Sequence, residues 1–396
     1  MHAFSPAAAR AFHDGLGHDR LGSEQSADER MAAAERAAAM PFPTPAEEIW
    51  RYSRVDELDL ARFRPGPVRT TVTGGDGVVE TGDSVGALPT MVGSAPDVFA
   101  ELNAAFAAPI LVRVPDGTVV AEPIVITHHV EGDGTAAFPK VVVDAGADAE
   151  VIVVERFTSA DGDTVLVVPV LHVLAGPAAR VRYLGVNELD DAAWQIGHQQ
   201  AVGDRDSTTL LATVALGGHY ARVRTEARLV GAGGSTRQVA LYFADGEQMH
   251  DFRTIQDHDA PHTSSDLLFK GAVQGRSRSV YTGLIKVRKH ARGTNAFQTN
   301  RNLTLSEGAW AESVPNLEIE TNDVRCSHAS TVGPIDAEQR FYLESRGIPT
   351  QIAERLIVLG FFDEVLRQLP VGALAAELRT RVSSKLDLDR TLTGVA

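Results

Sequence analysis

The sequence is poor in cysteine, aromatic residues and basic charge. Its single cysteine, Cys326, excludes any disulfide within the chain and fits a reducing compartment. Lys and Arg number 37 against 52 Asp and Glu, a formal net charge of −15. A surface of that sign repels a phosphate backbone unless a basic patch is segregated, which argues against nucleic acid. The densest basic stretch, residues 286–292, is short and interrupted. No uninterrupted apolar run approaches the roughly 18 residues that a membrane helix needs, and residues 1–20 carry no apolar core of a secretion signal. The expectation is therefore a cytoplasmic protein with no membrane partner. There is no G-x-x-x-x-G-K-[ST] loop for nucleotide phosphates, no G-x-S-x-G elbow and no H-E-x-x-H helix. Gly231-Ala232-Gly233-Gly234 fails the dinucleotide fingerprint and reads as a turn. A process that needs ATP must then draw it from another subunit.

What is present is an ordinary globular composition, 44% hydrophobic and 22% charged, with 35 glycines that favour frequent turns. Residues 1–67 read as helical. Ser26-Ala27-Asp28-Glu29 has the form of a capping box, an alanine-rich run over 31–40 follows, and Pro41 ends it. Thr44-Pro45-Ala46-Glu47 repeats the start signal, with proline where its missing N–H costs little. Trp50 and Tyr52 offer packing anchors, and Arg64-Pro65-Gly66-Pro67 marks a boundary.

Over residues 68–333 short β-rich runs recur between glycine, aspartate and proline: 110–114, 123–127, 141–143, 150–155, 165–174, 180–184, 208–214, 222–229, 238–243, 266–269, 283–287, 302–305 and 316–320. No helical pattern separates them, which disfavours a sheet built from βαβ units. A sandwich, a barrel and a β-solenoid all fit. The later runs lie roughly 14–20 residues apart, which suits the coils of a β-helix. Residues 334–396 are helical again. Asp336 can cap a helix over 337–346, with Gly347 just past its end and Ile348 available for the accompanying apolar contact. Ile352, Leu356, Leu359, Phe362, Leu366 and Leu369 then fall at steps of three and four, one apolar stripe. Pro370 closes that helix, and 371–386 gives another. Such a stripe either packs on its own domain or docks a partner.

Two clusters could carry chemistry. Cys326 and His328, taken as strand residues, project to one face with attachment points roughly 6–7 Å apart at about 3.3 Å per residue. Thiolate and imidazole are both acceptable to iron, but an iron–sulfur site takes about four protein ligands, so the others must come from elsewhere. The alternatives are a cysteine acting as a small apolar residue beside a turn histidine, or a Cys–His nucleophilic pair, which would need an orienting group. The second cluster is His250-Asp251 with Asp257-His258-Asp259-Ala260-Pro261-His262. Its histidine steps of eight and four match no specific zinc pattern, and a proline-containing turn also collects such residues.

Several longer motifs occur in order between residues 250 and 362. They are Asp257-His258-x-Ala260-Pro261-His262-Thr263-x-Ser265, Phe269-Lys270-Gly271, and Tyr281-x-Gly283-x-Ile285-x-Val287. Gln298-Thr299-Asn300-Arg301-Asn302-Leu303-x-Leu305-Ser306 and Pro315-x-Leu317-Glu318-Ile319 follow. Asp323-Val324-x-Cys326-Ser327-His328-Ala329-x-Thr331-x-Gly333 and Phe341-Tyr342-Leu343-x-Ser345-Arg346-Gly347-Ile348 complete the series. The series strongly resembles the SufB/SufD family of iron–sulfur cluster assembly proteins, and Glu47-Glu48-Ile49-Trp50-Arg51-Tyr52 is similar to the N-terminal segment of its SufD branch. The resemblance implies a mainly β protein, a right-handed parallel β-helix over 68–333 flanked by helical regions at 1–67 and 334–396. It implies a non-enzymatic scaffold subunit that pairs with a SufB-like paralogue, or with a second copy of itself. It also implies a SufC-like ATPase, the only source of ATP, bound through the C-terminal helical region.

Phe341, Tyr342, Ile352, Leu356, Leu359 and Phe362 become candidate docking residues for that ATPase. SufB-type members have a cysteine near the position of Thr299 and a glutamate at that of Cys326, whereas Cys-Ser-His is the SufD-type pattern. By carry-over, His328, with Cys326 beside it, is the candidate ligand for iron in a transient cluster shared with SufB. The rival is a β-helix lyase or hydrolase using carboxylates or His258 and His262. A third option is a structural partner in which the Cys-Ser-His segment is inert.

Overall fold

In the computed structural model residues 2–16, 27–81, 85, 88–89 and 95–392 are described. Strands of alternating burial, such as Ile124–Val130 with every second residue buried, are laid one per sheet in turn. On one sheet Tyr220 pairs with Met249, Met249 with Arg278 and Arg278 with Trp310. On the other Ser235 pairs with Ser264, Ser264 with Asn295 and Asn295 with Arg325. All these pairs are parallel, so the chain climbs as a β-solenoid of about 8 turns, with about thirty residues per turn. Among the described residues two antiparallel pairs lie at its start, Arg69–Thr73 with Ile124–Val130 and Val79–Thr81 with Ala108–Val114. Among the three β architectures that fit the sequence, the parallel register selects the solenoid.

The solenoid turns on a corner repeated from coil to coil. Gly117, Asp148, Ala178, Asp206, Gly233 and His262 all sit at positive φ, between 56° and 77°. Each N–H donates to a carbonyl of the next coil, as from Asp148 to Pro177 at 2.9 Å, from Ala178 to Arg205 at 2.8 Å and from His262 to Arg292 at 2.7 Å. Glycine adopts this left-handed state freely and aspartate at modest cost. The corner motif is thus carried by unlike residues, and sequence spacing alone shows it poorly.

The interior changes character along the stack. Its first coils are filled by Ile110, Val112, Val141, Val143, Val151 and Val153, all buried. Later coils hold Tyr242, Tyr281, Gln298, Asn300 and Asn302, also buried. Tyr242 Oη donates to Asn302 Oδ1 at 2.7 Å and accepts from Asn300 Nδ2 at 2.8 Å, while Asn302 Nδ2 donates to Asn300 Oδ1 at 2.8 Å.

The outer faces are covered by the termini. At the N-terminus α1 (Pro6–Gly15) and α2 (Ala27–Ala39) pack with α3 (Val98–Phe106) on one sheet. Helix α3 precedes the first of the β runs read from the sequence, in a stretch where no helix was foreseen. Asp97 caps it, accepting from the N–H groups of Phe99 and Ala100. Its mostly apolar nine residues bury Phe99, Leu102 and Phe106. The second start signal also ends differently. Glu47 does reach back to Thr44 N, at 3.0 Å, but only a single 3₁₀ turn, Glu48–Trp50, follows. Ser26 of the first capping box lies outside the described residues. Strands Trp194–Gly203 and Met249–His258 were not foreseen as β runs, and Arg64-Pro65 already pairs with Thr135 and Ala136 instead of forming a plain boundary.

The 3₁₀ segment is clamped from below. Arg222 Nη2 donates to Ile49 O at 2.8 Å and Arg253 Nη2 to Arg51 O at 2.6 Å. Both guanidinium groups share the buried Asp251, at 2.5 and 2.8 Å. Burial works against the Asp251 charge, yet Arg222 and Arg253 outweigh it and hold the carboxyl below its ordinary range. Arg222 also lies 3.8 Å from the Trp50 ring centroid, a cation–π contact that fixes the anchor.

At the C-terminus α4 (Ala337–Ser345), α5 (Thr350–Leu366) and α6 (Gly372–Leu392) follow the last strand. Asp336 caps α4 through the N–H groups of Glu338 and Gln339. Gly347 N bonds to Glu344 O and Ile348 N to Leu343 O, with Gly347 at φ 83°, the paired closure of a Schellman motif. Helices α5 and α6 cover the second sheet, burying Leu359, Phe362, Val365 and Leu366 with Val239, Leu241 and Phe243. Lys270 pins α5 through Phe361 O at 3.0 Å and Glu364 at 2.5 Å.

Candidate functional site: the open end of the solenoid

The final coil consists of Trp310–Ile319 and Val324–Gly333, the terminal strands of the two sheets. Among the described residues no further strand pairs with their outer edges, so their backbone groups on that side are available to another chain. Cys326 pairs in register with Ala296 and His328 with Gln298. Ala296 and Gln298 are interior residues, and a parallel in-register partner projects to the same face. Cys326 and His328 therefore share the interior face, at the last coil of the described residues, beyond which no strand covers the interior.

Cys326 is half-buried against Ile285, Val287, Ala291 and Ala296. Burial pushes its thiol pKa up, opposed by a backbone hydrogen bond at Ala296. His328 is exposed. Beside Ser313 and Ser330 the open face carries Leu317, Ile319 and Val332, buried types of side chain that are each about two-fifths exposed, at 39%, 40% and 42%. Sequence reasoning passed over these three. The signal was the alternation in 310–319, which places Ala311, Ser313, Pro315, Leu317 and Ile319 in register with the interior Ser279, Tyr281, Gly283, Ile285 and Val287.

The histidine–aspartate cluster comes apart. His250 and His258 face inward and are fully buried, whereas Asp251 joins the outer clamp. His258 has both ring nitrogens engaged, at 2.8 Å from Thr263 Oγ1 and 2.8 Å from Ser265 Oγ, and burial depresses its pKa to about 4. Asp257 is held by Arg288, Asp259 by Arg228 and His290. His262 is a corner residue. No group of three or more His, Cys, Asp or Glu gathers among the described residues in a way that could hold a metal ion. Cys326 and His328 thus acquire no further ligand of these types from the described residues.

The candidate docking residues divide. Leu359 and Phe362 are buried, at 7% and 0%, against the chain's own second sheet. Phe341, Tyr342, Ile352 and Leu356 remain 46–70% exposed on α4 and α5, which Arg340 and Glu354 tie together at 3.3 Å. No helix among the described residues is long and apolar enough to cross a membrane.

The family description "SUF system FeS cluster assembly, SufBD core domain" matches residues 128–361. An iron–sulfur cluster assembly SufBD family protein of Mycobacterium bovis is 35% identical over 372 residues, 88% of this chain and 91% of that protein. The SufD proteins of Escherichia coli and Bacillus subtilis are 28% and 30% identical over 326 and 277 residues. Those alignments cover 81% and 69% of this chain, and 77% and 63% of the two relatives.

Proposed function

Because the chain belongs to the SufBD family of iron–sulfur cluster assembly proteins, we propose that it is the SufD-type subunit of a SufB–SufC–SufD scaffold and that its open coil is half of the assembly site. The observation that carries this reading is the placement of Cys326 and His328 on the interior face of an uncovered, apolar-lined coil with free strand edges. A SufB-like partner extends the sheets, buries Leu317, Ile319 and Val332, and contributes the remaining ligands. The nascent cluster is cargo. Thiolate and imidazole two residues apart on one face span a multi-atom cluster and leave room for ligands from the other side.

Thr299 cannot carry a persulfide, so sulfur arrives on the partner. The subunit performs no reaction of its own, works in the cytoplasm, and draws on ATP through a SufC-like ATPase seated on Phe341, Tyr342, Ile352 and Leu356. Without SufB the same edges are open to a second copy of this chain.

The test is anaerobic co-expression with SufB and SufC partners, scored by co-purification and visible cluster absorbance. His328→Ala and Cys326→Ala are expected to fold and to enter the complex with cluster yield reduced about tenfold, the scale on which metal sites respond to loss of supporting groups. Normal cluster yield in both single variants and in the double variant overturns the site assignment. A Phe341→Ser/Tyr342→Ser variant is expected to lose the ATPase from the complex while its melting temperature stays that of the parent.

A further inference from the structure

Arg30 on α2 is 0% exposed, yet its guanidinium is only partly engaged. Its Nη1 donates to Ala105 O at 3.2 Å, while Nε and Nη2 have no hydrogen-bond partner. Nε–H and the adjacent Nη2–H form the side-on fork that matches the two oxygens of a carboxylate. Elsewhere this chain fills that fork with a carboxylate. Arg36, further along α2, donates through Nε and Nη2 to Glu101 at 2.9 Å each. Arg288 reaches Asp257 in the same way, at 2.9 and 2.8 Å. Both of those arginines reach solvent, whereas Arg30 is sealed in the fold with its fork empty. Buried polar groups are almost always paired, so the empty fork calls for an explanation.

Arg30 lines a cavity of about 1060 Å³ among the first strands, at the end of the solenoid away from Cys326. The walls are mainly apolar, with Phe12, Val72, Phe106, Ile110 and Phe138 among them. Thr70 and His128 also line it, but their side chains already bond to each other at 2.9 Å. A second cation stands close by. Burial lowers the pKa of Arg30 to about 10, with Glu29 opposing. Burial, and after it the Arg30 charge, lowers that of Lys140 to about 8. Burying a cation without a counter-charge is strongly unfavourable, and an anion held at the fork would relieve both groups.

We propose that this cavity binds a small molecule with an apolar body and one carboxylate, the carboxylate accepting both fork hydrogens of Arg30 and the body lying along the apolar wall. Lys140 adds favourable charge from nearby. A mostly apolar cavity with few unpaired polar groups is the usual form of a small-molecule site. Because Arg30 has no exposed surface, the wall parts to admit the head group. Phe12 belongs to that wall, its ring centroid 5.9 Å from the guanidinium carbon. The site is independent of the assembly site at the other end.

The test is isothermal titration calorimetry of the full chain with decanoate, and with decanol as a probe of the same body without the charge. Decanoate is expected to bind once per chain, with decanol about tenfold weaker for want of the charge-assisted hydrogen bonds. Arg30→Met is expected to bind the two probes alike. Its melting temperature should hold or rise, because an unbalanced charge has left the core. Val72→Phe narrows the cavity, leaves the cation in place, and should weaken both probes.

No decanoate binding by the parent, equal affinity for the two probes, or a preference retained in Arg30→Met overturns the inference. Parental affinity for both probes in Val72→Phe overturns it as well. Should Arg30→Met not fold, Arg30→Lys keeps the charge and loses the fork. It is expected to weaken decanoate and leave decanol unchanged, and undiminished decanoate affinity there counts equally against the site.

Discussion

At the residue scale, the solenoid interior resists charge. His250 and His258 are fully buried, and burial depresses their pKa values to about 3 and about 4; the Lys385 charge adds to the effect at His250. An imidazole in the unfolded chain titrates near 6.5. Between these values the unfolded chain binds protons that the native chain refuses. The stability these residues confer is therefore complete above about pH 6.5 and is lost as pH falls. At pH 5 the loss is about 2 kcal/mol per histidine. Urea midpoints measured at pH 7 and pH 5 should fall accordingly, and a His250→Gln/His258→Asn variant should show a flatter dependence. An unchanged slope in that variant would rule out these two residues as the cause. The same burial explains why the histidine-rich stretch is no metal site. One strand sends its residues to opposite faces, and His258, Asp257 and Asp259 are already engaged by partners within the fold.

At the scale of elements, the helices and the N-terminal segment are held by a few buried ionic contacts. Asp251 serves two arginines that reach the carbonyls of Ile49 and Arg51. Asp251→Ala leaves two buried cations unbalanced, a loss of about 3–5 kcal/mol, and should expose residues 49–52 to proteolysis while α5 stays docked. A variant as resistant to protease as the parent would show that Trp50 and its neighbours hold the segment without the clamp. The stripe on α5 was legible as a stripe, since its period is a property of sequence alone. Its two roles were not. Leu359 and Phe362 face a sheet from residues far earlier in the chain, whereas Ile352 and Leu356 extend beyond it.

For the whole molecule, the asymmetry of the two ends matters most. The first coils have an aliphatic interior and are flanked by the N-terminal helices, while among the described residues no strand covers the edges and interior face of the last coil. Backbone amides there lack a covering neighbour, so those of 324–333 that point outward should exchange far faster than those of 235–244, whose strand is paired on both sides. Binding of a SufB-like partner should slow them. Equal, slow exchange of both strands in the free chain would mean that the end is already covered, and the proposed interface would fail.

The sequence by itself determined the order of helical, β-rich and helical regions, through caps, prolines and alternating apolar runs that act locally. It also carried the ordered motifs through which Cys326 and His328 were singled out. Three things depended on tertiary structure. The solenoid was separated from a sandwich or barrel by parallel register, which is a relation between residues about thirty positions apart. Helix α3 was hidden because nine mostly apolar residues read equally well as a buried strand. The openness of the last coil, and with it the standing of Leu317, Ile319 and Val332, follows from where the stack ends. Burial depends on what lies above a residue, and a pattern that reads as core along the chain becomes a surface when no coil is added.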